Sequence, residues 1–286
     1  MPVCEVCFRH CRIEEGERGF CGVRTAKEGK VMAENYGRLT AIALDPIEKK
    51  PLRHFHPGSL ILSVGSYGCN LRCPFCQNYE ISWSEEAMAM AEYARYVTPQ
   101  ELAELAFKYR NRGNIGVAFT YNEPLIGYEY VLDTAKLVRE KGLANVLVTN
   151  GTAGLSVLEK LAPYVDAMNI DLKGYTHRYY KEILKGDLDM VKDFIREAAK
   201  VCHIELTTLI IPGENDSEDE MRDLTDFICS LKDGNGRPTG PEIPLHISRF
   251  FPTYLLSDRP ATRVTKVYRL AEVAREKLMN VYTGNC

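Results

Sequence analysis

From Ser59 onward, short apolar runs alternate with longer segments in which apolar residues recur every three or four positions. The runs predict strands at Leu60–Val64, Ile115–Thr120, Asn145–Thr149, Ala167–Leu172, Ile204–Ile211 and Pro244–Ile247. The intervening segments predict helices over about 99–111, 126–141, 154–162, 188–200, 217–231 and 265–279. Several boundaries carry chemical punctuation. Thr98-Pro99-Gln100-Glu101 offers an N-cap, a proline at the first helical position and a glutamate that can reach back to the cap; Asn215-Asp216-Ser217 and Gly142 mark a start and a stop. Six successive strand–helix units imply a parallel sheet with its functional residues at the C-terminal strand ends. The expected fold class is α/β, a partial (β/α)6 barrel of TIM type.

Residues 1–58 read differently. They are dense in Cys, Gly and charge, and their apolar stretches, Val31-Met32-Ala33 and Ala41-Ile42-Ala43-Leu44, suffice only for small strands. The division predicted is a Cys-rich N-terminal metal-binding module at 1–58, held by metal more than by a core, and a catalytic domain at 59–286. A length of 286 residues accommodates both. Hydrophobic residues at 45% and charged residues at 26% exclude a disordered chain. The net charge of −3 argues against nucleic acid or an anionic membrane as partner, as does the lack of interleaved aromatic and basic residues. No stretch approaches the ~18 apolar residues of a membrane span, and the opening Met-Pro-Val-Cys lacks the basic and apolar regions of a signal peptide. The reading is a cytoplasmic protein. There, the ten cysteines, seven of them within the first 76 residues, are metal ligands or redox groups before they are disulfides.

After the first strand comes Gly68-Cys69-Asn70-Leu71-Arg72-Cys73-Pro74-Phe75-Cys76-Gln77-Asn78, with thiols at i, i+4 and i+7. Thiolates are soft ligands for zinc and iron–sulfur clusters, and three of them leave one position open. Either a distant residue completes a zinc site, or a cluster keeps one iron for another ligand. Cys69, Cys73 and Cys76, with aromatic Phe75 before the last, resemble the signature of the radical S-adenosylmethionine superfamily. The resemblance implies a 4Fe-4S cluster whose open iron binds S-adenosylmethionine. One electron would then cleave the carbon–sulfur bond, and the 5′-deoxyadenosyl radical would abstract hydrogen from a substrate. It also implies that Phe75 and Asn78 lie at the cofactor.

Further resemblances follow the strand ends. Tyr121-Asn122-Glu123-Pro124 is similar to the Gly-Gly-Glu-Pro element with which activating enzymes of this superfamily hold the methionyl amino group, Tyr121 and Asn122 standing in place of the glycines. Val148-Thr149-Asn150-Gly151 and Asn169-Ile170-Asp171-Leu172-Lys173 look like elements of the pyruvate formate-lyase activating enzyme group, which implies that Thr149, Asn150, Asp171 and Lys173 lie by the methionyl end. Lysine is a natural partner for its carboxylate. The same resemblance assigns Thr208 and Ile211 to the nucleoside, and His246 to the nucleoside end or to substrate.

Cys4, Cys7, Cys11 and Cys21 form a second set, spaced C-x2-C-x3-C-x9-C. Four thiolates complete a tetrahedron, so structural zinc is the default and an auxiliary iron–sulfur cluster the rival. Cys202, Cys229 and Cys286 are read as non-ligands. With Asp45-Pro46-Ile47-Glu48-Lys49-Lys50-Pro51-Leu52 and Gln77-Asn78-Tyr79-Glu80-Ile81-Ser82, the whole chain resembles the AmmeMemoRadiSam system radical SAM enzymes, which are pyruvate formate-lyase activating enzyme-like. That resemblance implies AMMECR-type and Memo-type protein partners. An electron donor such as flavodoxin or ferredoxin is also expected. Two alternatives remain at this point: an activase that installs a glycyl radical on a partner enzyme, and a metal-binding electron carrier or scaffold that cleaves no cofactor. The basic group Lys49, Lys50, Arg53, His54 and His56 reads first as a solvated turn, and otherwise as a docking site for an anion or a partner.

Overall fold

The computed structural model describes residues 1–286, except for the side chain of Met90. The chain opens with an antiparallel hairpin, β1 (Arg24–Lys27) and β2 (Lys30–Ala33), followed by β3 (Arg38–Leu39), β4 (Ala41–Pro46) and β5 (Leu60–Gly65). Two short helices, α1 (Tyr79–Ser82) and α2 (Glu85–Met90), lead to β6 (Arg95–Tyr96), which pairs with β3. Strand–helix alternation then runs through α3 (Pro99–Lys108), β7 (Asn114–Phe119), α4 (Tyr128–Glu140), β8 (Ala144–Thr149), α5 (Leu155–Leu161) and β9 (Ala167–Asp171). It continues with α6 (Leu188–Val201), β10 (His203–Ile210), α7 (Glu218–Cys229), β11 (Leu245–Arg249), α8 (Val264–Arg275) and β12 (Val281–Gly284).

The expected capping box is present: Thr98 Oγ1 accepts the Glu101 N–H at 3.1 Å, and Glu101 Oε2 accepts the Thr98 N–H at 2.7 Å. Ser217 caps α7, and Gly142, at φ +69°, ends α4.

The main sheet has eight strands in the order β12-β11-β10-β9-β8-β7-β5-β4, all parallel except β4, which runs antiparallel to β5. The six predicted strands are its centre, and the α/β expectation holds. The two additions are edge strands. β12 buries only its first residue, too little apolar signal for a strand to show in the pattern. β4 is the run Ala41–Leu44 expected in the N-terminal module, and its pairing, from Ala41 with Gly65 to Pro46 with Leu60, places position 58 between two paired strands of one sheet.

Alternation along each strand sends side chains to two faces. Leu62, Val64, Val117, Phe119, Met168 and Ile170 pack with the helices in the principal core. Ile61, Ala118, Val146 and Ala167 face the other way, where Ile47 and Leu52 cover them. Both faces of the parallel region are thus closed, as such sheets require. The segment 47–56 acts as a strap across this second, concave face: Asn169 Nδ2 donates to the Pro51 carbonyl at 2.9 Å, and Glu205 accepts the N–H groups of Arg53 and His54 at 3.0 and 2.7 Å.

Two expectations are corrected here. Lys50 is not in a solvated turn; it is 3% exposed and bound to Asp45 at 2.9 Å. The N-terminal residues do not lack a core either, since Cys4, Val6, Ile13 and Ala26 belong to the same core cluster as the barrel.

Candidate active site

The loop after β5 begins with Gly68 at φ +89°, a conformation glycine adopts without penalty. Backbone bonds then hold it from several sides: Gly68 N–H to Ser82 O, Cys69 N–H to Cys21 O at 3.2 Å, Arg72 N–H to Leu184 O at 2.9 Å, and Cys76 N–H to Cys73 O at 3.2 Å. Cys73 is buried, whereas Cys69 and Cys76 are partly exposed. Burial pushes the Cys73 thiol up to about 12, although the nearby Lys173 ammonium acts in the other direction. The Cys69 thiol is also raised, first by burial and then by the charge of Glu123. None of the ten cysteines is disulfide-bonded.

The next strand end supplies the groups around this loop. Asn122 bridges back to it, accepting the Ser66 N–H at 3.0 Å and donating Nδ2 to Tyr67 O and Gly68 O, each at 3.1 Å. Asn78, just past the last cysteine, donates Nδ2 to the Tyr121 carbonyl at 2.8 Å. Tyr121 itself lies at φ +72°, so the backbone here takes a glycine-like conformation with tyrosine in it. Its ring packs against Gly65, where an added Cβ would stand 2.8 Å from Tyr121 Cδ2. Its hydroxyl donates to Asp45 Oδ2 at 2.7 Å, beside the Lys50 ammonium.

Glu123 is the buried acid of the group, at 3% exposure. Its carboxylate accepts the Thr149 hydroxyl at 2.7 Å, the Asn150 N–H at 2.7 Å and the Leu125 N–H at 3.0 Å. Burial pushes its pKa up to about 7 against the pull of those three donors. A carboxylate has about four lone-pair sites, so capacity remains for one further donor. Asn150 continues the chain of contacts, its Nδ2 reaching Cys69 Sγ at 3.8 Å and Asn70 Oδ1 at 3.0 Å. At the end of β9, Lys173 Nζ pairs with Asp171 Oδ2 at 2.6 Å. Burial alone would lower the Lys173 ammonium, but Asp171 and the Cys73 side chain outweigh it and raise its pKa.

The ends of β5, β7, β8 and β9 therefore converge, and the structure brings together Cys69, Cys73, Cys76, Asn78, Tyr121, Asn122, Glu123, Thr149, Asn150, Asp171 and Lys173. Phe75 is adjacent but packs its ring in the core. His246 lies on the concave face, bonded to Glu205 at 2.6 Å. Thr208 and Ile211 reach the group only through its backbone, Thr208 at Leu172 and Ile211 by way of Asn215 to the Lys173 carbonyl. The Thr208 hydroxyl is spent on the Leu172 carbonyl at 2.7 Å, and Ile211 is part of the helix-side core with its N–H bound to Asn215 Oδ1. A threonine and an isoleucine at a strand end carry no local mark of which face they join.

Three residues went unremarked in the pattern. Asn70 ties the cluster loop to Thr152, Arg72 ties it to the N-terminal segment, and Glu205 anchors the strap. Only Glu205 had a visible signal, as a charge inside the apolar run Ile204-Glu205-Leu206.

The donor set fits an iron–sulfur cluster with an amino-acid ligand: three soft thiols on one pinned loop, and beside them a buried carboxylate and a Lys–Asp pair suited to an ammonium and a carboxylate. Comparison with known proteins agrees. The radical SAM superfamily profile matches residues 63–225. An uncharacterised protein of Methanocaldococcus jannaschii is 40% identical over 285 residues, which is 99% of this chain and 80% of that one. The pyruvate formate-lyase-activating enzyme of Clostridium pasteurianum is 27% identical over 169 residues, 58% of this chain and 68% of its own. Streptococcus suis SuiB bound to S-adenosylmethionine superposes with a TM-score of 0.58 at 15% identity, over 79% of this chain and 52% of that chain, a likeness of fold. With a cysteine loop, a strand-end acid and a partial barrel in agreement, the chain belongs to the radical SAM superfamily and is an enzyme related to the glycyl-radical activating enzymes.

Proposed function

We propose that the protein is a hydrogen-abstracting enzyme that uses a 4Fe-4S cluster at Cys69, Cys73 and Cys76 together with S-adenosylmethionine. When bound, these groups supply a 5′-deoxyadenosyl radical. The observation that carries the reading is the continuous run of contacts from Cys69 through Asn150 to Glu123 and Thr149. It makes the cluster loop and the amino-acid pocket one rigid unit, so ligand and cluster are held in a common geometry before either is filled.

Each residue then has a defined task. Glu123 accepts from the ligand's ammonium with its remaining capacity, and Thr149 and Asn150 hold that carboxylate in place. Lys173, oriented by Asp171, meets the ligand's carboxylate. Asn78, Tyr121 and Asn122 keep the loop against the end of β7, and Phe75 anchors it in the core. His246, held in place by Glu205, is assigned to the substrate side, on the concave face. Among the described residues no helix is long and apolar enough to cross a membrane; a reducing cytoplasm suits ten cysteines of which none is disulfide-bonded.

The substrate reading follows the whole-chain resemblance: a reaction of the AmmeMemoRadiSam type, carried out with AMMECR-type and Memo-type partners. Relatedness to the activating enzymes favours a second reading, transfer of the radical to a glycine of a partner enzyme. The N-terminal thiols form a second metal centre, and a flavodoxin or ferredoxin supplies the electron. Anaerobically reconstituted, dithionite-reduced protein is expected to release 5′-deoxyadenosine from S-adenosylmethionine. Fully iron-loaded protein that releases none, while a related enzyme works in parallel, rules out the cleavage reading. Electron paramagnetic resonance of mixtures with candidate lyases separates the two substrates, because a glycine doublet belongs only to the activase.

A further inference from the structure

Cys4, Cys7, Cys11 and Cys21 line one pocket, together with Arg9, Arg24 and Gly19. Three of the four thiols are buried, and the pocket lies under the N-terminal segment's own turns, with Cys4 N–H bonded to Cys11 O at 2.9 Å. The segment has little need of a metal staple, because Cys4, Val6, Ile13 and Ala26 already pack in the main core.

The two thiol sets touch through the backbone. The Cys21 carbonyl accepts the Cys69 N–H at 3.2 Å, so a ligand of one set is hydrogen-bonded to a ligand of the other. Cationic side chains span the same junction. Arg72 donates Nη1 to the Cys69 and Leu71 carbonyls, each at 2.8 Å, and Nη2 to the Phe20 carbonyl. Arg9 donates Nε to Asn70 O at 3.1 Å. The two guanidinium carbons lie 3.2 and 3.9 Å from the Phe20 ring centroid, Arg9 at the shorter distance. A redox-inert zinc site gains nothing from this placement, whereas a cluster gains a short covalent and hydrogen-bonded route, flanked by positive charge that favours the reduced form of each end.

We infer that Cys4, Cys7, Cys11 and Cys21 hold a second iron–sulfur cluster that passes electrons to the cluster at Cys69, Cys73 and Cys76 through the Cys21–Cys69 junction. This deepens the reading above, resting on the N-terminal thiols being a metal centre and on the cluster loop being redox-active. The electron balance is simple. A one-electron donor of the ferredoxin or flavodoxin class is oxidised, the N-terminal cluster is reduced and then reoxidised, and the electron is consumed at the carbon–sulfur bond of S-adenosylmethionine.

The test begins with the full chain carrying Cys69→Ala, Cys73→Ala and Cys76→Ala, reconstituted anaerobically with iron, sulfide and zinc together. About four irons with matching sulfide, and a dithionite-dependent paramagnetic signal, are expected. Bound zinc without iron overturns the second cluster but leaves the metal-centre reading standing; no metal overturns both. In the unsubstituted chain the reduced signal should be broadened and relax faster than in the triple variant, through coupling of two nearby spins. A signal that relaxes like that of the isolated N-terminal cluster overturns the electron route, even if Cys4→Ser or Cys21→Ser chains fail to fold. None of these readouts depends on turnover, so failure of cofactor cleavage leaves them interpretable.

Discussion

Glu205 and His246 meet at 2.6 Å on the concave face of the sheet, both buried. The same carboxylate also accepts from His203, at 3.0 Å, and from the Arg53 and His54 N–H groups of the strap. Burial alone would raise the pKa of Glu205; these four donors hold it instead at about 2, below its ordinary 4.5. A carboxylate lowered in the folded state stabilises the fold above its unfolded pKa and loses that contribution as pH falls towards its folded value.

Glu205→Gln should therefore cost on the order of 3 kcal/mol at pH 7, with the gap to the parent protein narrowing between pH 4.5 and 2. Urea unfolding at a series of pH values measures it. A gap that stays constant with pH would show that the loss is steric and not electrostatic.

Tyr121 combines an unfavourable backbone conformation with two favourable side-chain contacts. Tyr121→Phe keeps the ring on Gly65 and loses the bond to Asp45, for an expected cost of about 1 kcal/mol. Tyr121→Gly relieves about 1 kcal/mol of strain but leaves the space beside Gly65 empty, and should be the least stable of the three. Thermal melts that place the glycine variant at or above the parent would deny the ring any packing role.

Gly68 and Gly58 have nearly the same backbone angle, φ +89° and +80°, in very different surroundings. A Cβ at Gly68 would stand 2.5 Å from Val23 Cγ1 and 2.9 Å from the Cys21 carbonyl oxygen, while one at Gly58 meets nothing within 4 Å. Gly58→Ala should cost about 1 kcal/mol, the backbone penalty alone. Gly68→Ala should cost about 2–4 kcal/mol and reduce iron retained after reconstitution, because the added atom pushes the cluster loop off the N-terminal segment. Equal losses in the two variants would count against that contact.

Glu123→Gln removes the carboxylate's charge at constant shape: its amide oxygen can still accept from Thr149 and Leu125, while its NH2 group replaces the oxygen that accepts the Asn150 N–H. Affinity for S-adenosylmethionine should fall at least about tenfold, the value of one charge-assisted hydrogen bond, with the cluster's visible absorbance unchanged. Equilibrium dialysis against the labelled cofactor decides it; unchanged affinity would remove Glu123 from the ammonium site.

Much of the site was legible because its chemistry is local. Three thiols within eight residues, or an acid followed by proline at a strand end, have one set of neighbours whatever the rest of the chain does. Lys50 shows the opposite case. In sequence it belongs to a basic turn; in the fold it is buried against Asp45, because β4 joins the main sheet and drags the strap beneath it. Thr208 is similar in kind, since a shift of one residue decides between the concave face and the helices.

Periodicity and residue type were sufficient for the alternating strands and helices, the parallel sheet and the three-cysteine loop, since each depends on spacings of a few residues. Long-range pairing decided the rest. It made β4 and β12 edges of one eight-stranded sheet, laid the 47–56 strap over the concave face and set Cys21 against Cys69. Apart from the neighbouring strand pairs β4 with β5 and β11 with β12, those contacts join residues 48 or more positions apart, and no local pattern encodes which distant backbone group will satisfy a given N–H.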